Sequence, residues 1–299
     1  MGQLRVGTAS WTDKTLLEAG WYPPEASTPE ERLKFYASQF PVVEVDSTYY
    51  GLPSERNSVL WVERTPADFT FDVKAFSLMT GHPALLRGLP KDVRETLPGG
   101  AGPRVSAKDV PADAVEKVWE MFRSALMPLH SAGKLGLVMF QYPQWFMPSR
   151  ANREELLRAR ERLPDYDIAV EFRQGAWFKN EEYTKKTMDF LSSEGIPFVM
   201  VDMPQGFKSS VPPIAEATSD RYALLRFHGR REETWHKPNV GPTERFRYDY
   251  SDEELQEWVP RVRQVSEEAK ETHALFNNCY RDNAVRNAKT FAQMVLADE

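Results

Sequence analysis

Glu44, Glu171 and His228 are the residues of this chain best suited to moving protons, and each ends a short apolar run. Burial raises a carboxyl group's pKa and a neighbouring arginine lowers it, so acid and base are not yet assigned among the three. Around them in the same kind of context stand Lys74, Arg173, Arg226 and Arg230. Such cations bind phosphate or carboxylate, arginine as a bidentate fork and lysine as a point charge. The same four also suit a structural salt-bridge lattice with Glu44, Asp46, Glu171 and Asp202. Asp46, Tyr49, Gln141, Trp177, Asn277, Asn278 and Trp11 complete the candidate substrate-binding set. Glu44 and Glu171, three strands apart, additionally permit a glycosidase-like carboxylate pair. Glu44, Asp46, Glu171, Asp202 and His228 could hold a divalent metal, but four nearby cations and the lack of a close His-rich motif disfavour it. No cofactor is expected.

These residues recur in one setting. Val42-Val43-Glu44-Val45-Asp46, Phe71-Asp72-Val73-Lys74, Ala169-Val170-Glu171-Phe172-Arg173, Phe198-Val199-Met200-Val201-Asp202, Leu224-Leu225-Arg226-Phe227-His228 and Leu275-Phe276-Asn277-Asn278 are short runs rich in Val and Phe. Such runs read as buried parallel strands. Side chains alternate along a strand, so Glu44 and Asp46 share one face, Glu171 and Arg173 another, and Arg226 and His228 a third. Their apolar neighbours belong against helices, which turns the polar set toward a common centre. Lys74, Gln141 and Asp202 are expected at the equivalent strand ends.

Strands are expected at Leu4 to Thr8, Val42 to Val45, Thr70 to Lys74, Leu135 to Gln141, Ile168 to Glu171, Phe198 to Asp202, Tyr222 to His228 and Ala274 to Phe276. Helices are expected from Pro29 after the cap Thr28, over Ser54 to Arg64, over Ala112 to Ala125, after the cap Ser149, over Tyr183 to Ser193 and after the cap Asp282. Ser251-Asp252-Glu253-Glu254 is a capping box, and Pro260 should kink or divide the helix it opens. Eight strands alternating with helices over residues 1–299 predict a single α/β domain, a (β/α)8 barrel with long loops after strands three and seven. A doubly wound open sheet is the alternative. Trp11, Trp21, Trp145, Trp177 and Trp235 follow strands one, four, five and seven, on loops that build a barrel's catalytic face, and suit a ring-bearing ligand such as a sugar or base.

The hydrophobic fraction of 41% and charged fraction of 27% over 299 residues fit a globular core. A net charge of −6 argues against broad, non-specific binding to nucleic acid or anionic membranes. No apolar run approaches the ~20 residues that span a bilayer, and no signal core follows Met1. The one cysteine, Cys279, forms no internal disulfide, so a cytoplasmic location is expected. The sequence carries no signal of oligomeric state.

Gly7-Thr8-Ala9-Ser10-Trp11, Trp21-Tyr22-Pro23, Glu44-Val45-Asp46-Ser47-Thr48-Tyr49-Tyr50, Gln141-Tyr142-Pro143, Glu171-Phe172-Arg173 with Trp177-Phe178, Arg226-Phe227-His228-Gly229-Arg230 and Phe276-Asn277-Asn278 together resemble the YecE-like family, catalogued as domain of unknown function 72. The resemblance covers nearly the whole chain and implies a TIM barrel without specifying a reaction. The sequence departs from the family pattern at Thr80-Gly81-His82 and at Gln174, so neither His82 nor Gln174 is counted on for chemistry. The expected function is acid/base catalysis on a small or terminal anionic substrate carrying a sugar or base. The alternatives are a non-catalytic module for nucleotides or nucleic-acid ends and, third, a glycoside hydrolase.

Overall fold

The computed structural model describes residues 2–297. Eight parallel strands surround one axis: β1 (Gln3–Ala9), β2 (Val42–Val45), β3 (Thr70–Lys74), β4 (Leu135–Gln141), β5 (Asp167–Glu171), β6 (Val199–Asp202), β7 (Tyr222–Phe227) and β8 (Glu271–Phe276). Hydrogen bonding runs in the order β5-β4-β3-β2-β1-β8-β7-β6. A parallel bridge from Val170 to Phe198 joins the two ends, with Val170 N–H donating to the Pro197 carbonyl at 2.9 Å. This is the (β/α)8 barrel.

Helices follow the strands: α1 (Pro29–Gln39), α2 (Glu55–Glu63), α3 (Ala112–Ser131), α4 (Arg150–Arg162), α5 (Glu181–Glu194), α6 (Asp252–Gln256), α7 (Val259–Glu268) and α8 (Asn283–Leu296). Local chemistry sets their starts. Thr28 accepts from Glu31 N–H while the Glu31 carboxylate accepts from Thr28 N–H, a reciprocal box that satisfies two orphan donors. Ser251 and Glu254 repeat it. Pro260 divides rather than kinks, because it falls in the first turn of α7, where no backbone donor is needed. Asp282 occupies the cap position of α8 but makes no capping bond; its carboxylate pairs with Arg286 instead. The connection between β6 and β7 carries no helix, and β8 starts three residues before the expected Ala274, taking Thr272 and His273 into the wall.

The barrel interior is filled in layers. Near the bottom, His273 Nδ1 contacts Asp72 Oδ2 at 2.7 Å, and Asp72 Oδ1 accepts from Leu137 N–H at 2.8 Å. Burial lowers the affinity of His273 for a proton, but the charge and hydrogen bond of Asp72 outweigh it and raise its pKa to about 9. Gly136 is required there, since a Cβ would lie 2.4 Å from Asp72 Oδ1. The stretch between β3 and α3 is a folded excursion in which Ala84–Leu85 pairs antiparallel with Arg104–Val105. None of the helices among the described residues is long and apolar enough to cross a membrane.

Candidate functional site

Above the His273 layer lies an ionic lattice centred on the fully buried Arg226. Its Nη2 and Nε donate to Glu44 Oε1 and Oε2, both at 2.7 Å, and its Nη1 donates to Glu171 Oε2 at 2.5 Å. Arg173 Nε donates to the other Glu171 oxygen, and its Nη2 contacts His228 Nε2 at 3.1 Å. The opposite ring nitrogen of His228 meets the Asn277 amide at 2.9 Å. Burial pushes the Glu171 carboxyl up, but Arg173, Arg226 and His228 outweigh it and hold the group well below the usual range. Burial raises Glu44, opposed by Arg226 and Lys74. Burial and then the Arg173 charge push His228 down to about 3, which keeps its imidazole neutral.

A cavity of about 480 Å³ opens on top of this lattice at the C-terminal ends of the strands. Its lining includes Asp46 after β2, Lys74 ending β3, Gln141 ending β4, Arg173 after β5 and Asn277 after β8. Lys74 Nζ sits 4.9 Å from the centre of the Tyr49 ring. No hydrogen bond or ion pair engages it among the described residues. Burial, then the Arg226 charge, lowers Lys74 to about 8, while Glu44 and Glu171 pull the other way. Arg173 lies 5.6 Å from the Trp235 ring. Each cation therefore has an aromatic neighbour among the cavity-lining residues.

The remaining wall divides by chemistry. On one side Asp13 and Asp46 flank Cys279. Burial and then Asp46 raise Asp13 to about 6, and burial raises Asp46. The Cys279 thiol donates to the Ala9 carbonyl at 2.9 Å, and burial among carboxyls pushes it well up, which disfavours the thiolate. On the other side His82 rests between the Tyr49 and Trp145 rings, 5.4 and 5.7 Å away, and is lowered to about 4 by burial, Lys74 and Arg173. The loop after β7 supplies Arg245 and Phe246. Arg245 Nε is buried with no hydrogen-bond partner among the described residues.

Several sequence candidates lie elsewhere. Glu44, Glu171, Arg226 and His228 form the layer beneath the cavity and are at most 1% exposed. Arg226 is occupied by two glutamates and has no free edge for a ligand anion. Asp202 faces outward: it pairs in register with Phe227 and accepts from Trp258 Nε1 at 2.6 Å and Tyr250 Oη at 2.7 Å. Arg230 follows it outward to Asp202 and Glu257, redirected by Gly229 in the left-handed region (φ 84°). Asn278 ties Tyr248 to Asn287 and so holds loops. Trp177 is fully buried, donating to the Phe146 carbonyl at 2.7 Å, and Trp11 packs on Trp61 and Phe71. Trp21 packs on Tyr22 and Phe35. Of the five loop tryptophans, only Trp145 and Trp235 line the cavity.

Sequence reasoning did not select Asp13, His82, Arg245 or Phe246. Asp13 follows β1 closely, whereas the paths of the long connections after β3 and β7 bring His82, Arg245 and Phe246 to the mouth. Among the described residues, no three of His, Cys, Asp and Glu converge as metal ligands. Of the acids proposed for that role, Glu44 and Glu171 are engaged by Arg226, and Asp202 by Arg230, Tyr250 and Trp258, while Asp46 lines the cavity.

This arrangement sits on a sequence that the profile described as "Protein of unknown function DUF72" matches over residues 5–299. The chain belongs to the DUF72 family. The UPF0759 protein YunF of Bacillus subtilis (strain 168) is 31% identical over 293 residues, covering 97% of this chain and 94% of that protein. A DUF72 family protein of Thermotoga maritima, solved by crystallography, is 33% identical with a TM-score of 0.76, over 99% of this chain and 100% of that one. One from Enterococcus faecalis is 26% identical with a TM-score of 0.78, over 99% and 96%. The similarity spans strands and mouth loops alike.

Proposed function

We propose that this DUF72 protein is an enzyme that moves a proton on a small anionic substrate carrying a sugar or other ring, held in the cavity at the C-terminal mouth. The observation that carries the reading is Lys74 Nζ, free of hydrogen bonds and ion pairs among the described residues, in one cavity with the raised carboxyls of Asp46 and Asp13. An amine lowered to about 8 and a carboxyl raised to about 6 both titrate close to neutral pH, which is what general acid/base exchange requires.

Arg173 and Arg245 supply the anion contacts. Arg173 has one guanidinium nitrogen left after Glu171 and His228 take the others, and Arg245 has its unpartnered Nε. Tyr49, Trp145, Trp235 and Phe246 give flat apolar walls for a ring. Glu44, Glu171 and His228 then act through Arg173, Arg226 and Asn277 as positioning residues rather than as groups that touch substrate.

The non-catalytic alternative, a binder of nucleotides or nucleic-acid ends, is favoured by one feature: Trp145 is 62% exposed at the rim and open to stacking. A glycosidase built on Glu44 and Glu171 has no support, because Arg226 joins both carboxylates below the cavity.

One experiment separates these readings. The protein is incubated in D2O with inorganic phosphate, sugar phosphates and nucleoside monophosphates and followed by proton and phosphorus NMR. We expect line broadening that disappears in Arg173→Gln and persists in Arg230→Gln, with deuterium entering a carbon-bound position of a bound compound unless Asp46 is changed to Asn. Broadening without exchange or conversion points to the non-catalytic binder. If no anion is broadened, or if Arg173→Gln binds as the wild type does, the reading is wrong.

A further inference from the structure

The arrangement around Lys74 supports more than proton transfer. We propose that Lys74 is a nucleophile that forms a covalent imine with the carbonyl group of a small anionic aldehyde or ketone, a 2-oxo acid or a phosphorylated ketose. This rests on the anion-binding reading above and specifies its substrate class.

Four features of the site lead there. Lys74 ends β3, so its backbone is fixed by the barrel wall while its amine reaches the cavity. Its Nζ meets the Tyr49 ring and no carboxylate, whereas buried lysines that serve structure are tied down; Lys134 Nζ, for comparison, donates to two carbonyls and a hydroxyl. Two guanidinium groups, Arg226 and Arg173, stand close enough to disfavour a charged amine. Desolvation together with a neighbouring cation is a recognised way to keep an amine unprotonated and nucleophilic near neutral pH. Finally, Asp13 and Asp46, carboxyls whose proton affinity is raised by burial, line the same cavity.

The chemistry balances within those groups. The Nζ lone pair forms a C–N bond to the carbonyl carbon as the carbonyl π electrons move to oxygen; the nitrogen then gives up one proton and the oxygen gains one, relayed by the Asp46 or Asp13 carboxyl, to give a neutral carbinolamine. Asp46 or Asp13 then protonates the hydroxyl, the C–O bond breaks, and water leaves as the nitrogen lone pair forms the iminium. Arg173 and Arg245 remain available for the substrate's anionic group.

Reductive trapping tests this on the intact protein. Pyruvate, glyoxylate and dihydroxyacetone phosphate are each added at pH 7.5 with sodium borohydride, which delivers hydride to an iminium carbon and leaves a stable secondary amine. Peptide mapping by mass spectrometry locates and times the adducts. At that pH an amine lowered to about 8 has a free-base fraction on the order of 100-fold above an ordinary lysine. Lower intrinsic nucleophilicity offsets part of that gain, so we expect Lys74 to be labelled about tenfold faster than any other lysine. Inorganic phosphate should slow labelling at Lys74 and not elsewhere, and Lys74→Arg should leave only the slow background. Labelling spread over surface lysines, with Lys74 no faster than the rest, overturns the imine. If phosphate still binds in that case, the anion-binding reading stands and only the covalent step falls; if phosphate does not bind, both fall. The mapping uses wild-type protein, so the test survives even if Lys74→Arg does not fold.

Discussion

Replacing Arg226 with Met should destabilise the protein severely, and the structure indicates how much and why. Arg226 is fully buried and holds Glu44 by two bonds of 2.7 Å and Glu171 by one more. Glu171 keeps Arg173 in the variant, so most of the loss falls on Glu44, whose remaining cation is Lys74 without a direct ion pair. Removing one partner of a buried ion pair typically costs about 3–5 kcal/mol. Against a total stability of roughly 5–15 kcal/mol, that is a large fraction but leaves a measurable native state.

An abandoned buried carboxylate takes up a proton rather than stay charged. Glu44, already raised by burial in the wild type, is raised further in the variant once Arg226 no longer opposes that shift, so the stability deficit should shrink as pH falls from 7 toward 5. Glu44→Gln added to Arg226→Met removes the charge altogether and should restore about half of the loss, on the order of 2 kcal/mol. Urea unfolding followed by tryptophan fluorescence, at pH 7 and pH 5, reads all three quantities. A single variant within about 1 kcal/mol of wild type at pH 7 would refute the reasoning. So would a double variant less stable than the single. If Arg226 were instead a ligand-binding group with a free edge, its loss would remove anion binding and leave stability nearly untouched.

Three further outcomes follow from other parts of the fold. His273 has a folded pKa of about 9 against 6.5 when unperturbed, so its contribution, about 3 kcal/mol, is complete below pH 6.5 and is lost as pH rises through 9; His273→Gln should flatten the melting temperature over that window, and an unchanged slope would assign the dependence elsewhere. Gly136→Ala should cost about 1–3 kcal/mol by thermal unfolding, because its Cβ would press on Asp72 Oδ1 and Thr70 Cγ2, at 2.4 and 2.7 Å. Trp145→Ala should leave stability within about 0.5 kcal/mol, since the side chain is largely exposed, yet weaken nucleoside monophosphates more than inorganic phosphate in the NMR titration; equal weakening would remove stacking from the account.

Parity along the strands was readable from the sequence because a barrel wall has apolar helices on one side and a shared interior on the other. Glu44, Asp46, Lys74, Gln141, Glu171, Arg173, Arg226, His228 and Asn277 converge on that interior or its mouth. Depth was not readable. Strand stagger decides which inward residue reaches the cavity, and one strand's sequence contains no information about its neighbour's offset. Asp202 illustrates this: only its pairing with Phe227 on β7 reveals that it faces Trp258 and the helices. Trp177 fails for a different reason. A loop tryptophan can turn inward, and this one fills the space between Phe146 and Phe172. His82 and Arg245 sit in excursions whose path depends on contacts far along the chain, so no local pattern marks them.

The division into two layers explains why the lattice persists at all. Well-packed apolar residues would often stabilise a barrel interior as well as or better than buried ions. A lattice kept at that cost makes sense if it acts on the layer above it. Its cations, Arg226 and Arg173, are matched by Glu44 and Glu171, while Lys74 is the third cation and has no direct ionic partner. The same Arg226 that neutralises two glutamates also depresses Lys74, and the same Arg173 that neutralises Glu171 also depresses His82 and His228. Beyond burial, proton affinity at the cavity floor is thus set from below by Arg226, which does not line the cavity, and from within it by Arg173. It follows that Arg226→Met should raise the Lys74 pKa where the fold survives and Glu44 stays ionised, and a reactive amine at Lys74 should then become less reactive without any change to the residues that line the cavity.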